Sequence, residues 1–548
     1  MSLDRCLFLA RVSREDDREE LARRVERLAR WHGGKATWTW AGPNVAAGVV
    51  RYDERDEDLG APLVFGEPLP GGIGSLLDAE PESLRALDGA GAALEIEPAR
   101  AGIVAYAGGP GTLYSASCGP IDAWSTHAVA AAWLALGQAR VDPAAIPEQL
   151  AAEFVGGERC LIERVRPLAQ AVRVVADGEG AHLTDYWPLG ERWAALPEDE
   201  AAAHAEQHLL ETLARRARAF GAEPHASLTA GLDSRVTAVA LREAGIAPRG
   251  FTWGEPDWDD VRGGAEVARR LGLEHELVGI EWLDDAEAMR EVDRQVRWTE
   301  GGVPVGFARL AWPADMHCFV TGAGGEVGRA FYYDDAEEAD GGWPEDLIVE
   351  VVTSRLPDAR LEALQELTAT LNLWVSATVA AGFPGFRALD VIYGEQRVRR
   401  WLRGMLPRLA APMVPAFATP EVARALASLP LADRMSSGFH RGFLERRAPE
   451  LAGPVVEPPP RPPRRLRLPW RREAPPSFLG RRWDEHPGFH DWVAEGVLGS
   501  PLLVEPLGER WANRTRERFL ARDGDAERMA LSAAGPVALA EALKELDG

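Results

Sequence analysis

Residues 225 to 235 read His-Ala-Ser-Leu-Thr-Ala-Gly-Leu-Asp-Ser-Arg. A short apolar stretch runs into a turn of small residues. Asp233-Ser234 then open an amphipathic helix with Val236, Val239, Ala240 and Leu241 on one face. A strand, a glycine turn and a helix start together form an anion site, because unpaired backbone N–H groups and the positive helix end converge there. Phosphate or pyrophosphate is the ligand this order of elements predicts. No Gly-Lys-Ser/Thr follows the turn and no GxGxxG is present there, so neither the P-loop nor the dinucleotide fingerprint applies. The competing reading is an ordinary strand-to-helix turn in which Asp233 or Ser234 caps the helix.

The elements around this loop are predicted from the neighbouring residues. Pro248 to Trp253 reads as the next strand, followed by an acidic loop (Glu255, Asp257, Asp259, Asp260), a helix over Val261 to Leu271, and a strand over Leu273 to Val278. Strands and helices alternating at this length predict right-handed crossovers in a parallel sheet. Further on, Cys318 to Glu326 is again a strand entering a glycine turn, Thr321-Gly322-Ala323-Gly324-Gly325-Glu326. Asp233 and Glu326 thus fall beyond the carboxyl ends of two predicted strands, where an open parallel sheet binds its ligands.

Thr229 to Ser234 resembles the Ser-Gly-Gly-x-Asp-Ser loop of the ATP-pyrophosphatases, in particular the asparagine-synthetase-like branch, and Thr321 to Glu326 resembles that family's Ser-Gly-Glu-Gly-x-Asp-Glu motif. The resemblance implies cleavage of ATP to AMP and pyrophosphate with adenylation of a carboxylate. It implies an ATP and pyrophosphate site at Leu228, Thr229, Ala230, Gly231, Leu232, Asp233, Ser234, Thr252, Thr321, Gly322 and Gly324. It also implies Mg²⁺ shared by Asp233 and Glu326, with ATP and Mg²⁺ as the cofactors. Such chemistry calls for positioning and for neutralisation of spreading negative charge, and Mg²⁺ takes carboxylate and phosphate oxygens together. Asp233, Glu326 and Arg235 are the catalytic candidates. Arg235 is either a pyrophosphate clamp through its planar fork or a solvated helix charge.

The chain has 548 residues, 46% of them hydrophobic and 27% charged, as expected for a large globular enzyme of two or three domains. A formal charge of −24 argues against a nucleic-acid binder. No run of about twenty apolar residues predicts a membrane span, and the start of the chain lacks a secretory signal. Cys6, Cys118, Cys160 and Cys318 lack metal-ligand spacing and read as reduced, buried thiols of a cytoplasmic protein.

Residues 1–190 have a different texture. Cys6 to Ala10 and Ala47 to Val50 predict strands, and Leu161 to Leu168 followed by Val172 to Val175 predicts a hairpin. Gly111 to His127 and Asp185 to Pro188 are weakly similar to the glutaminase domain that precedes the synthetase in the resembled family. The expected fold is therefore an α+β N-terminal-nucleophile-like sandwich over 1–190. An α/β parallel-sheet ATP-pyrophosphatase domain over 200–548, with a helical C-terminal part, is expected to follow it. Ser2 stands where the family's nucleophilic cysteine would be, and no Asn-Gly dipeptide occurs, so glutamine hydrolysis is expected to be lost.

The resemblance then implies that the attacking amine belongs to the substrate, as in lasso-peptide cyclases and β-lactam synthetases. The expected activity is macrolactam formation on a precursor peptide, with a leader peptidase or leader-binding protein as a further partner. An amidotransferase using ammonia on a small or cell-surface carboxylate, and a catalytically silent scaffold, are the alternatives. Trp298 to Gly302 and Phe331 to Asp335 are candidate acceptor loops, with Tyr332 or Tyr333 paired to Glu300 as amine base. The family's late lysine has no counterpart, since the only lysines are Lys35 and Lys544. The basic, proline-rich stretch from Pro458 to Arg472 lies about where it would fall, as a source of a covering arginine or as an extended linker.

Overall fold

The computed structural model describes residues 5–51, 59–71, 73–221, 223–332, 344–405, 411–456 and 480–547. Ser2, Tyr333 to Asp335 and the Pro458 to Arg472 stretch lie outside the described residues.

The first 185 residues supply two antiparallel sheets. Strand β1 (Arg5–Val12) is buried along almost its whole length because both its faces are covered. It pairs with β3 (Val45–Arg51) on one side and β8 (Ile121–Ser125) on the other, and β2 (Lys35–Trp40), β7 (Tyr114–Cys118) and β9 (Arg166–Pro167) complete the order β2-β3-β1-β8-β7-β9. The second sheet, β11-β10-β6-β5-β4, is built from β4 (Leu63–Gly66), β5 (Gly91–Ile96), β6 (Arg100–Ala105), β10 (Val172–Asp177) and β11 (Ala181–Asp185). The sheets pack face to face through β1 and β3 against β5 and β6, and helices Asp17–Trp31 and Ala128–Leu136 cover the outer side of the first.

The hairpin expected of Leu161 to Val175 does not form. β9 joins the first sheet beside β7, whereas β10 crosses to the second sheet and turns back into β11. β10 turns into β11 through Asp177-Gly178-Glu179-Gly180, where Asp177 Oδ1 accepts from the N–H groups of Glu179 (2.8 Å) and Gly180 (2.9 Å).

Residues 225–415 build a third sheet with all its pairings parallel, in the order β14-β13-β12-β17-β18. Its strands are β12 (His225–Ser227), β13 (Arg249–Trp253), β14 (His275–Val278), β17 (Phe319–Thr321) and β18 (Met413–Pro415). A small antiparallel pair, β15 (Ile280–Trp282) and β16 (Ala308–Leu310), lies between β14 and β17 in the sequence. From β12 the chain first builds outward through β13 and β14, and only later returns to the other side of β12 with β17. Order therefore reverses between β12 and β17, and a crevice opens at their carboxyl ends.

Helices surround this sheet and the chain ends in a helical region. The C-terminal helix Gly524–Asp547 packs on helix Asp285–Thr299. It also reaches the first sheet's outer layer, where Trp31 Nε1 donates to Ala542 O at 2.8 Å. A buried pair joins the two regions more firmly: Arg216 Nε donates to Glu67 Oε2 at 2.8 Å. Among the described residues no helix is long and apolar enough to cross a membrane.

Candidate functional site

Helix Leu232–Glu243 starts directly behind β12, with Gly231 at its N-cap and no side-chain cap. The residues that would compete for the cap are engaged elsewhere. Ser234 Oγ accepts from Thr229 N at 3.2 Å and lies within hydrogen-bond distance of the carbonyls of Thr229 (3.0 Å) and Gly231 (3.1 Å), while Thr229 Oγ1 accepts from Gly231 N at 3.1 Å. The loop is braced internally, and the first N–H groups of the helix are left without a side-chain acceptor. The positive end of the helix faces the crevice with no carboxylate capping it.

Asp233 sits in the first turn of this helix and is wrapped by the second glycine turn. A Cβ on Gly322 would come 2.6 Å from Asp233 Cβ, and one on Gly325 would come 2.3 Å from Asp233 Oδ1, so only glycine lets the β17 turn close on the carboxylate. Arg329 Nη2 donates to Asp233 Oδ2 at 2.6 Å and stands 3.9 Å from Glu326 Oε1. One guanidinium thus faces both carboxylates. Tyr393 donates from its hydroxyl to Glu326 Oε2 at 2.7 Å. Burial, with Glu326 adding to it, pushes the Tyr393 phenol well above its ordinary range, so it stays a proton donor.

The other oxygen of Asp233 is different. His440 Nε2 lies 3.0 Å from Oδ1, on a ring that is wholly buried, yet the angles exclude a hydrogen bond and Oδ1 is a buried oxygen with no hydrogen-bond partner. Two hard carboxylates, one with an orphaned lone pair, are a donor set that fits Mg²⁺. Arg329 would have to yield part of its hold on Asp233 for an ion to sit between them.

A cavity of about 630 Å³ opens beside these groups, within the size range of small-molecule sites. Its lining includes both glycine turns, with Thr229, Gly231, Asp233, Ser234, Thr321, Gly322, Gly324 and Glu326. The lining also carries the aromatic side chains Trp253, Trp312 and Trp401. A third wall comes from helix Asp285–Thr299 and β16, carrying Glu291, Arg294, Gln295 and Arg309. Burial pushes Glu291 upward, but hydrogen bonds from Arg294 and Gln295 and the charge of Arg309 outweigh it and hold the carboxyl below its ordinary range.

The remaining expected residues lie outside the cavity wall. Leu228 is buried core, and Thr252 is buried with its hydroxyl on Leu228 O (2.7 Å) and on His275 Nε2 (2.9 Å). Ala230 underlies the loop, where helix Asp259–Leu271 approaches so closely that a Cβ on Gly263 would fall 2.6 Å from Ala230 Cβ. Leu232 is half-buried and is not among the lining residues.

Arg235 departs furthest from its expected place. Its guanidinium is buried and donates to the carbonyls of Leu451 and of Gly453 (2.7 Å), which makes it a tie between helices rather than a wall of the crevice.

The expected acceptor loop at Trp298 to Gly302 is not a surface loop. Trp298 and Thr299 end helix Asp285–Thr299, and Glu300 is buried, with Oε1 accepting from Val129 N at 2.6 Å and Arg403 at 3.4 Å from Oε2. Tyr332 is buried too, and burial pushes its phenol up to about 12. Glu300 is engaged by Val129 and Arg403, and no hydrogen bond joins it to Tyr332. Neither lysine lines the cavity.

Arg329, Tyr393 and His440 were not anticipated. Arg329 follows Glu326 by three residues in the short helical segment Gly325–Arg329, a spacing legible in the sequence. Tyr393 opens a π-helical turn, Tyr393–Val398, that also brings Arg397 and Val398 to the cavity. His440 arrives on helix Gly438–Arg447, which packs against Leu232–Glu243. Compared with models of known protein families and with curated proteins, the chain matches none of them.

Proposed function

We propose that the chain is an ATP-dependent, AMP-forming amide ligase of the asparagine-synthetase-like type, in which a substrate carboxylate is adenylated and then taken by an amine. The observation that carries the reading is the convergence of Asp233 and Glu326 at the order reversal of a parallel sheet, beside an uncapped helix start and a cavity of about 630 Å³. In this reading the nucleotide's phosphates lie against residues 229–234 and 321–326, and the tryptophans of the lining receive the base.

The chemistry needs positioning above all. A carboxylate oxygen bonds to the α-phosphorus while the bond to the pyrophosphate oxygen breaks, and the amine nitrogen then bonds to the acyl carbon as AMP leaves. Mg²⁺ held by Asp233 and Glu326 would neutralise charge on the departing pyrophosphate. Arg329, released from Asp233 as phosphates arrive, supplies the cation that the missing lysine would have supplied. The wall bearing Arg294 and Arg309 faces the carboxylate substrate. Tyr393 holds Glu326 in place as a hydrogen-bond donor.

The amine is proposed to belong to a peptide substrate, giving a macrolactam, and the first region to be a glutaminase-like sandwich without that activity. Support for the second point is Cys6. It is wholly buried beside Ser125 Oγ (3.2 Å), and burial pushes its thiol up to about 12, which removes it as a nucleophile. A second reading, a nucleotide-binding scaffold without turnover, is favoured by the Arg329–Asp233 pair, since a cation already neutralises the metal-side carboxylate.

The deciding experiment supplies ATP, Mg²⁺ and a candidate precursor peptide and separates the nucleotide products. AMP with a peptide lighter by one water supports cyclisation. ATP binding with no turnover supports the scaffold, stimulation by ammonium alone supports an ammonia-using amidotransferase, and ADP as product overturns the ligase assignment.

A further inference from the structure

Far from the crevice in chemical character, a second group of metal-ligating side chains converges on the helical side of the molecule. His204 and His208 are four residues apart on helix Glu198–Arg218, so their rings lie on one face, with centroids 4.1 Å apart. Glu421, in the first turn of helix Pro420–Ala427, faces them, and His204 Nε2 stands 2.8 Å from Glu421 Oε2. One ligand atom from each of the three lies within 4.8 Å of the others, and among the described residues this is the one such cluster of His, Cys, Asp or Glu.

From this we infer a divalent transition-metal site, with Zn²⁺ as the ion, at His204, His208 and Glu421. Two imidazoles and a carboxylate are a ligand set that Zn²⁺ takes at about 2.0–2.2 Å, leaving a fourth position for water. Tetrahedral bonds of that length put ligand atoms roughly 3.3–3.6 Å apart, so the widest separation, up to 4.8 Å, closes by at most about 1.5 Å, while the 2.8 Å contact of His204 with Glu421 opens by less than about 1 Å. His204 and Glu421 are each 24% exposed, which gives an ion access and leaves the rings room to turn. Arg424 donates to Glu421 Oε2 from Nε (2.8 Å) and Nη2 (2.6 Å) and orients the carboxylate from outside.

The site would act on the crevice mechanically. Helix Pro420–Ala427 follows directly on residues 415–418, where Phe417 N donates to Ala323 O (3.3 Å) and Ala418 N approaches Gly324. The helix carrying the histidines is tied to the same strip, because Arg216 Nη1 donates to Pro415 O at 3.0 Å. A metal joining the two helices braces the floor beneath the Glu326 turn.

The test uses the full chain stripped with chelator and titrated with Zn²⁺ by calorimetry, then with Co²⁺ followed by visible absorption. One ion per chain is expected, with Co²⁺ bands of four- or five-coordination. His208→Ala and Glu421→Gln should each weaken binding by about tenfold or more and lose those bands, while Asp233→Asn keeps both. Circular dichroism checks that the variants remain folded. Absence of stoichiometric binding, or binding unchanged in the His204→Ala/His208→Ala double variant, overturns the site; dependence on Asp233 instead would assign the ion to the crevice and equally overturn it. None of these readouts depends on the proposed ligase activity.

Discussion

Replacing Gly325 by alanine tests the contact on which the candidate site depends. Gly325 has an ordinary negative-φ backbone, so alanine brings no backbone strain, and the whole effect is the methyl group. That carbon would lie 2.3 Å from Asp233 Oδ1 and 2.7 Å from its Cγ, against 3.4 Å for ordinary contact. Asp233 has a short side chain whose other oxygen is held by Arg329, so it cannot swing aside without breaking that bond. The carboxylate or the turn must move by about 1 Å, a displacement worth on the order of a hundredfold in rate where it misplaces a reacting group. Overpacking of this kind costs about 1–3 kcal/mol of stability. The assay is AMP formation, paired with calorimetric melting and with nucleotide binding followed by the fluorescence of Trp253, Trp312 and Trp401. Gly190→Ala, which meets nothing within 4 Å, is the control. A Gly325→Ala protein with normal melting and activity within about threefold of the parent would show that placement of Asp233 is not what the β17 turn is for.

Asp233→Asn, nearly isosteric, should reduce AMP formation on the order of a hundredfold or more while the chain stays folded; near-parent turnover would remove Asp233 from the metal and phosphate chemistry. Tyr393→Phe frees Glu326 of one hydrogen bond, worth about 1 kcal/mol at this half-buried carboxylate, and should slow turnover roughly fivefold; an unchanged rate at saturating and at low ATP would deny it a positioning role. Arg329→Gln should weaken ATP binding and slow turnover, whereas faster turnover would mark Arg329 as an inhibitory counter-ion rather than a phosphate ligand. His32 gives a pH prediction: burial, then the charges of Arg297 and Arg403, lowers its pKa to about 3 from an ordinary 6.5. A depressed folded value means that stability is fully present above pH 6.5 and is lost as pH falls towards 3, because the unfolded chain binds the proton first. His32→Phe should flatten the fall in melting temperature between pH 7 and 5, and an identical slope in both proteins would contradict this.

Local pattern accounts for much of the parallel sheet. The runs at 225–228 and 318–321, each followed by small residues and then by a helix or helical turn, and the run at 249–253, followed by an acidic loop and a helix, predict strand and turn from residues adjacent in sequence. The same adjacency puts Asp233 and Glu326 at strand ends. Burial and partners depend on distant chain. Arg235 reads equally as clamp or surface charge until the carbonyls of Leu451 and Gly453 occupy it. Glu300 reads as a loop residue until Val129 and Arg403 enclose it. Whether residues 161–175 close into a hairpin depends on which sheet receives β10, and its pairing with β6 is a non-local choice.

What the sequence determined by itself is therefore the order of strands, glycine turns and helix starts, and the two acidic residues those turns present, because each rests on contacts within a few residues. What only the tertiary structure decided is the company those acids keep. Arg329, Tyr393 and His440 come to Asp233 and Glu326 from 3 to more than 200 residues away, and Gly322 and Gly325 close on Asp233 from a different strand. No periodicity records such meetings, since they follow from the packing of whole helices and from the reversal of strand order.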